Sequence, residues 1–302
     1  PPVTEETVAL LTGGSSGFGF SSEVFPSTSG CSLPSLPAPR WGHTLFTTAD
    51  PNPTVAVCGG WLGNALSSSC LVLDLANQRW EENTMGSLPQ PRFGHAVVTL
   101  NNIGNYMIGG TVSNNGRSTV FLPKGSQQWV AGPAIPVSMY HPCAVVISER
   151  SFLAISEREI REYEVNKEQP TSEAGWQEAT KWPQLQTSRT TWPGCSLING
   201  KVVIAGGYYG ETLSSTEVLD IESRTMQPGG DLTRPRSWFH IVTIRTQGVE
   251  RVLALGGLDG SSYLDSVEEF DPETLTWNPA PANLLERRGI FGAAALKKDI
   301  IC

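Results

Sequence analysis

Residues Gly256 to Arg288 read GGLDGSSYLDSVEEFDPETLTWNPAPANLLERR. The stretch opens on a Gly-Gly pair that ends the apolar run Val252-Leu253-Ala254-Leu255, then passes through Ser266-Val267-Glu268, Trp277 and Arg287-Arg288. The same opening recurs at Gly13-Gly14, Gly59-Gly60, Gly109-Gly110 and Gly206-Gly207. Steps between second glycines are 46, 50, 97 and 50 residues, so the long step is two periods with one pair missing near Ile155-Ser156. No window holds apolar residues at helical spacing for more than about two turns, whereas short β-branched runs between turn residues recur throughout. A unit of about 50 residues built from short strands has the period of a propeller blade.

Aligning the units on their glycines brings other residues into register. Trp80, Trp129 and Trp277 follow the second glycine by 20, 19 and 20 residues, and Trp176 sits 20 beyond Ser156 in the unit without the glycine pair. Met226 takes that place in the fifth unit. A Ser-X-Glu pattern opens the strand between glycine and Trp in three units, ending at Glu23, Glu217 and Glu268. After the Trp comes a Pro-Arg or Arg-Arg step at Arg40, Arg92, Arg236 and Arg288, then another apolar strand. Each unit is therefore four strands: A after the arginine, B ending in Gly-Gly, C carrying the Glu and D near the Trp. Repeated residues of this kind serve mainly to hold neighbouring units together, the Trp filling the gap between twisted sheets and the Glu accepting backbone N–H bonds.

Gly-Gly, Ser-X-Glu, Trp and Pro-Arg-X-X-His at this period resemble the kelch repeat across nearly the whole chain. The resemblance implies an all-β, six-bladed kelch-type β-propeller occupying residues 1–302 as a single domain. Its ring would be closed by the C-terminal strand, Gly292 to Leu296, joining Val8 to Leu11 of the N-terminal blade, which removes free sheet edges. The cysteine-bearing text of the first units, Gly30-Cys31-Ser32 and Cys58-Gly59-Gly60 with Ser69-Cys70, resembles secreted invertebrate kelch-repeat proteins.

Bulk composition sets outer bounds. The net charge of -8 disfavours nucleic acid, and no apolar stretch of about 18 residues exists to span a membrane. The expected partner is a protein or peptide ligand, bound by a monomeric domain without a cofactor. Secretion is the expected location, with a cytoplasmic form as the alternative.

Strand alternation sends the B–C and D–A connections to one end of every blade. The B–C loops carry Phe18, Trp61, Tyr208, Tyr209 and Tyr263, and the D–A connections bring Arg40, Arg92, Arg189, Arg236 and Arg288 toward the same rim. Aromatics and arginines around a concave rim are the usual material of interaction hot spots. This is the expected binding face, and these ten residues are its candidates.

Cys58 ends strand B and Cys70 begins strand C, so a hairpin would place them opposite each other within disulfide reach. Cys31 and Cys302 fall in the closing blade without an assigned pairing. Early positions of strand A carry His43, His95, Cys143, Cys195 and His240, which around a channel would form a weak metal set. Neighbouring inner strands around a six-bladed channel should stand about 8 Å apart or more, beyond an unstrained bridge, so a buried thiol pair is expected of Cys143 and Cys195, with a bridge between them gaining weight if the chain is exported. No metal and no catalytic residue is assigned. The motifs of catalytic kelch propellers, a Tyr–Cys copper site or a Glu-X-X-X-Asp-X-X-X-His iron string, are not matched. A channel-mouth enzyme of the sugar-processing or metal-dependent kelch type stands as the alternative to a non-catalytic binding module.

Overall fold

A computed structural model of the chain describes residues 5–14, 19–27, 31, 33–49, 53–82, 84–111 and 115–301. Its framework is all-β, with a four-residue helix at Lys298–Ile301 and two short 3-10 turns at Glu173–Gly175 and Ala179–Lys181. The strands fall into antiparallel sheets that follow the sequence repeat. Thr44–Thr47, Val55–Cys58, Cys70–Asp74 and Arg79–Glu82 form one four-stranded sheet in chain order. The same A-to-D order builds the sheets starting at Ala96–Leu100, Gly194–Ile198 and His240–Thr246. The sheet from Cys143–Val146 through Ser151–Ser156 to Glu159–Glu164 has three strands. This is the layout of a β-propeller.

The remaining sheet joins the two ends of the sequence. Gly292–Lys297 pairs antiparallel with Thr7–Thr12, from Thr12 opposite Gly292 to Thr7 opposite Lys297, and Ser22–Phe25 pairs on the other side. The first strands of successive sheets also lie side by side. Thr44–Thr47 neighbours Ala96–Leu100, then come Cys143–Val146, Gly194–Ile198, His240–Thr246 and Gly292–Lys297, which neighbours Thr44–Thr47 again.

Sequence dictates this local structure directly. The B strands are apolar on both faces because sheets pack on either side, and Val55–Cys58, Gly104–Ile108 and Ser151–Ser156 are buried throughout. The core is thus a series of layers between sheets. One holds Leu10, Leu45, Val57, Leu71 and Trp80, and the next holds Phe46, Ala56, Met107, Val120 and Trp129. The repeated Trp fills these layers as expected: Trp129 meets Phe46 of the neighbouring sheet edge-on at 6.0 Å, and the Trp277 indole N–H donates to Thr216 Oγ1 across another seam. At Gly59 the need for glycine is explicit: φ is +70°, and a Cβ there would lie 2.7 Å from the His95 ring. In the unit without the glycine pair, Glu157 takes the left-handed turn at φ +56° and Ser156 pairs with Glu159 in a tight hairpin.

Candidate functional site

The tails of the D–A connections pair with the starts of the B–C loops, so both sets meet at one end of the sheets. Trp41 is opposite Trp61, Phe93 opposite Thr111, Thr191 opposite Tyr208, and Ser237 opposite Leu258. Tyr208 and Tyr209 sit on a small hairpin with Glu211–Thr212 and are 41% and 60% exposed. Trp61 is half-buried, its indole N–H donating to the Gly63 carbonyl, and meets Phe93 edge-on at 6.4 Å. Tyr263 is half-buried, pairs with Leu258 and lies against Gly289. Phe18 lies outside the described residues.

The five arginines are elsewhere. Arg92, Arg189 and Arg236 are fully buried, and Arg40 and Arg288 are 2% and 1% exposed. Each guanidinium runs inward beneath the loops instead of reaching the rim. Arg236 donates to the carbonyls of Gly256 and Ser266 and to Glu268, and Arg189 makes the same bonds to Gly206, Ser215 and Glu217. Arg288 bonds the Gly13 carbonyl and Glu23. The glutamate in turn accepts the backbone N–H groups of the incoming connection, Thr233 and Arg234 at Glu268, and Gln186 and Thr187 at Glu217. The expected rim arginines are thus internal ties that fasten each crossover to the sheet it enters. The physical reason is that the glycine carbonyls at the end of strand B need a donor that the turn itself lacks.

Units two and three lack the glutamate, having Leu71 and Val120 in its place. Arg40 therefore bonds the Gly59 carbonyl and the Ser69 carbonyl and hydroxyl, and Arg92 the equivalent atoms of Gly109 and Ser118. Burial lowers both guanidinium pKa values to about 10.

The histidines are likewise occupied. His43 Nε2 shares a hydrogen bond with Thr12 Oγ1 (2.9 Å), His95 Nε2 with Thr44 Oγ1 (3.0 Å), and His240 Nε2–H donates to the Phe291 carbonyl (2.7 Å). Each ring points across a seam between sheets. Burial holds all three imidazoles below their ordinary pKa, with Arg40 adding to the effect at His43 and Arg92 at His95. The cysteines of that set are bonded to one another: Cys143 and Cys195 form a disulfide with a Cα separation of 5.9 Å. This corrects the expected thiol pair: a Cα separation of 5.9 Å lies within the ordinary range for a bridge and inside the spacing expected of these strands. Among the described residues no cluster of three or more His, Cys, Asp or Glu is placed to hold a metal. Cys58 and Cys70 are bridged as opposite residues of their hairpin, 4.2 Å apart at Cα. Cys31 is also disulfide-bonded, and Cys302 lies outside the described residues.

A central cavity of about 410 Å³ lies among the first strands. Its wall includes His43, His95, the Cys143–Cys195 bridge, Thr99, Ser196 and Thr243, with Trp192 at one end and no carboxylate, amine or guanidinium among the described lining residues. Sequence reasoning passed over the rings at that end. Phe93 meets Trp192 at 5.2 Å and His141 at 6.0 Å; His141 stacks on Trp192 at 3.9 Å; and Trp192 meets Trp238 at 6.1 Å. The signal that could have found them is the aromatic residue one to three positions after the repeated arginine: Trp41, Phe93, Trp192 and Trp238.

Comparison with known proteins agrees with this repeat geometry. The Kelch motif family matches residues 250–283. Kelch-like protein 33 of Homo sapiens is 32% identical over 91 residues, which is 29% of this chain and 16% of that protein. The shared stretch is thus a small part of the human relative. With its Gly-Gly turns, buried arginines and interleaved Trp residues repeated from sheet to sheet, the chain is similar to kelch-repeat proteins and carries a Kelch motif at residues 250–283.

Proposed function

We propose that the chain is a non-catalytic protein-binding propeller that presents its B–C and D–A loop end to a partner protein or peptide. Six sheets, closed by the pairing of Gly292–Lys297 with Thr7–Thr12, make one six-bladed domain in this reading. The observation that carries it is the exposure of Tyr208 and Tyr209 beside a run of half-buried rings on that end. Large aromatics left in water on a rigid scaffold are the usual anchors of an interface. The arginines and histidines that could have served an acidic ligand or a reaction are engaged inside the scaffold. The channel-mouth enzyme has a cavity of suitable size, yet its wall offers only imidazoles already bonded across seams. Export to an oxidising compartment accords with the absence of free cysteines among the described residues.

A photo-crosslinking amino acid in place of Tyr209 tests the reading against the same group in place of Val249, which is 62% exposed as the first residue of its strand at the other end of its sheet. Saturable adducts with one partner from position 209 and none from 249 support it. Adducts from 249 alone, or turnover by the purified domain that survives blocking of the loop end, refute it.

A further inference from the structure

Cys143 and Cys195 stand on the first strands of two neighbouring sheets, Cys143–Val146 and Gly194–Ile198, and their bridge crosses the seam between them. The other bridge, Cys58–Cys70, joins two strands of one sheet, and its cysteines are 0% and 3% exposed. Both residues of the seam bridge line the central cavity of about 410 Å³; Cys143 is half-buried and Cys195 is 8% exposed. A small thiol that enters the cavity meets this bridge on its wall, whereas Cys58 lies inside a layer between sheets, against Met85. Access governs thiol–disulfide exchange alongside the reactivity of the sulfurs.

The seam bridge is connected to the exposed tyrosines by a short run of chain. His141 stands two residues before Cys143 and Trp192 three before Cys195, and their rings stack at 3.9 Å, so the same two segments touch twice across the seam. Trp192 is held at φ +44°, a strained conformation that an aromatic residue keeps only when its surroundings fix it. Thr191 in turn pairs with Tyr208, and Thr190 donates both its N–H (2.9 Å) and its hydroxyl (2.8 Å) to the Tyr208 carbonyl. Residues 190–195 therefore lead from the bridge to the hairpin of Tyr208–Tyr209 and Glu211–Thr212. No arginine tie fastens the unit of Cys143, because the connection from Val130 to Pro142 holds none. With the bridge open, the ring stack and the apolar packing alone oppose the strain at Trp192.

We propose that the Cys143–Cys195 bridge is a redox-sensitive clasp on the Tyr208–Tyr209 hairpin, opened by a small thiol that reaches it through the central cavity. A thiolate of the reductant attacks one bridge sulfur, forming a mixed disulfide and releasing the other cysteine as a thiolate. A second thiol attacks the mixed disulfide and leaves with the first as a small-molecule disulfide. The bridge gains two electrons, the two thiols lose them, and their two protons end on Cys143 and Cys195. The consequence for partner binding rests on the loop-end reading; the opening of the clasp does not.

To test this, the whole domain is titrated with 2-mercaptoethanol under native conditions. Free cysteines are trapped with N-ethylmaleimide and located by peptide mass spectrometry, and amide exchange is followed on the same samples. Cys143 and Cys195 are expected to be alkylated at least about tenfold faster than Cys58 and Cys70. Exchange should rise at least about fivefold at residues 190–192 and 208–212 and stay unchanged in Thr44–Thr47. Cys143→Ser/Cys195→Ser should show the faster exchange without thiol and no further response to it. The unmodified chain carries the same test if that variant fails to fold. Alkylation of Cys58 and Cys70 as early as the seam pair, or a hairpin whose exchange is unchanged once Cys143 and Cys195 are alkylated, would overturn the proposal. If the hairpin does not respond while the crosslinker at position 209 still captures a partner, the clasp falls and the loop-end reading stands. A hairpin that responds with no capture in either redox state sinks the loop-end reading instead.

Discussion

Removing the Cys143–Cys195 disulfide should cost more stability than removing Cys58–Cys70, although the second bridge is buried in a regular hairpin. The bridges close chain segments of 52 and 12 residues. Loop-closure entropy in the unfolded chain then gives about 4 kcal/mol for the first and about 3 kcal/mol for the second. The native state adds to the difference. The unit that begins at Cys143 has neither the glycine pair nor an arginine in the connection from Val130 to Pro142, so the ties that fasten other sheets are missing there. Cys143 and Cys195 instead join the first strands of two adjacent sheets covalently. For a chain of this size, 4 kcal/mol corresponds to a fall of about 6 °C in Tm. The assay is urea unfolding of Cys143→Ala/Cys195→Ala and Cys58→Ala/Cys70→Ala against the unmodified chain, with amide exchange at Cys143–Val146 and Gly194–Ile198. The first variant should unfold at lower urea and exchange faster in those two strands. If it is the more stable of the two, or exchange rises equally everywhere, the account of that seam is wrong.

The arginine ties differ by whether a carboxylate is present. Arg236→Met leaves Glu268 buried without its partner and should cost about 3–5 kcal/mol, whereas Arg40→Met orphans only carbonyls and a hydroxyl and should cost about 1–3 kcal/mol. Equal losses in chemical denaturation would contradict the distinction. Acid should destabilise the fold below about pH 6.5, because burial holds His43, His95 and His240 neutral when folded whereas they take up protons when unfolded. A urea midpoint that is unchanged or rises between pH 7 and 5.5 would count against this. Replacing Trp238 by Gly should leave a higher Tm than replacing it by Ala, reversing the usual order, because φ is +57° there; thermal melts of the two variants decide it.

The frame of the fold was legible because every unit solves the same packing problem. Gly-Gly, the spaced Trp residues and Ser-X-Glu appear in the sequence at the period of the sheets, and the unit without the glycine pair still announced itself through Trp176. The arginines were misplaced for an instructive reason. Their position in the D–A connection was read correctly, but a connection has an inner side, and the unpaired carbonyls of Gly206, Gly256 and their equivalents draw the guanidinium inward. Repetition itself was the clue, since a residue needed once per sheet is more apt to serve the sheet than the ligand. Cys143 and Cys195 were underrated because the inner strands were expected about 8 Å apart, whereas the two Cα atoms stand 5.9 Å from each other. The rings of Phe93, His141, Trp192 and Trp238 were missed because they occupy different positions in the D–A connections, and only the fold brings them together.

The pairing of Thr7–Thr12 with Gly292–Lys297 sets an order of events during synthesis. The first strand emerges from the ribosome at least 280 residues before its neighbour exists, as the register of Thr12 opposite Gly292 requires. Throughout that interval one of its edges offers unpaired N–H and C=O groups to any passing chain. The nascent domain is thus most prone to wrong association just before completion, and a factor that shields Thr7–Thr12 until the last strand arrives would raise the yield of folded protein without touching its final stability.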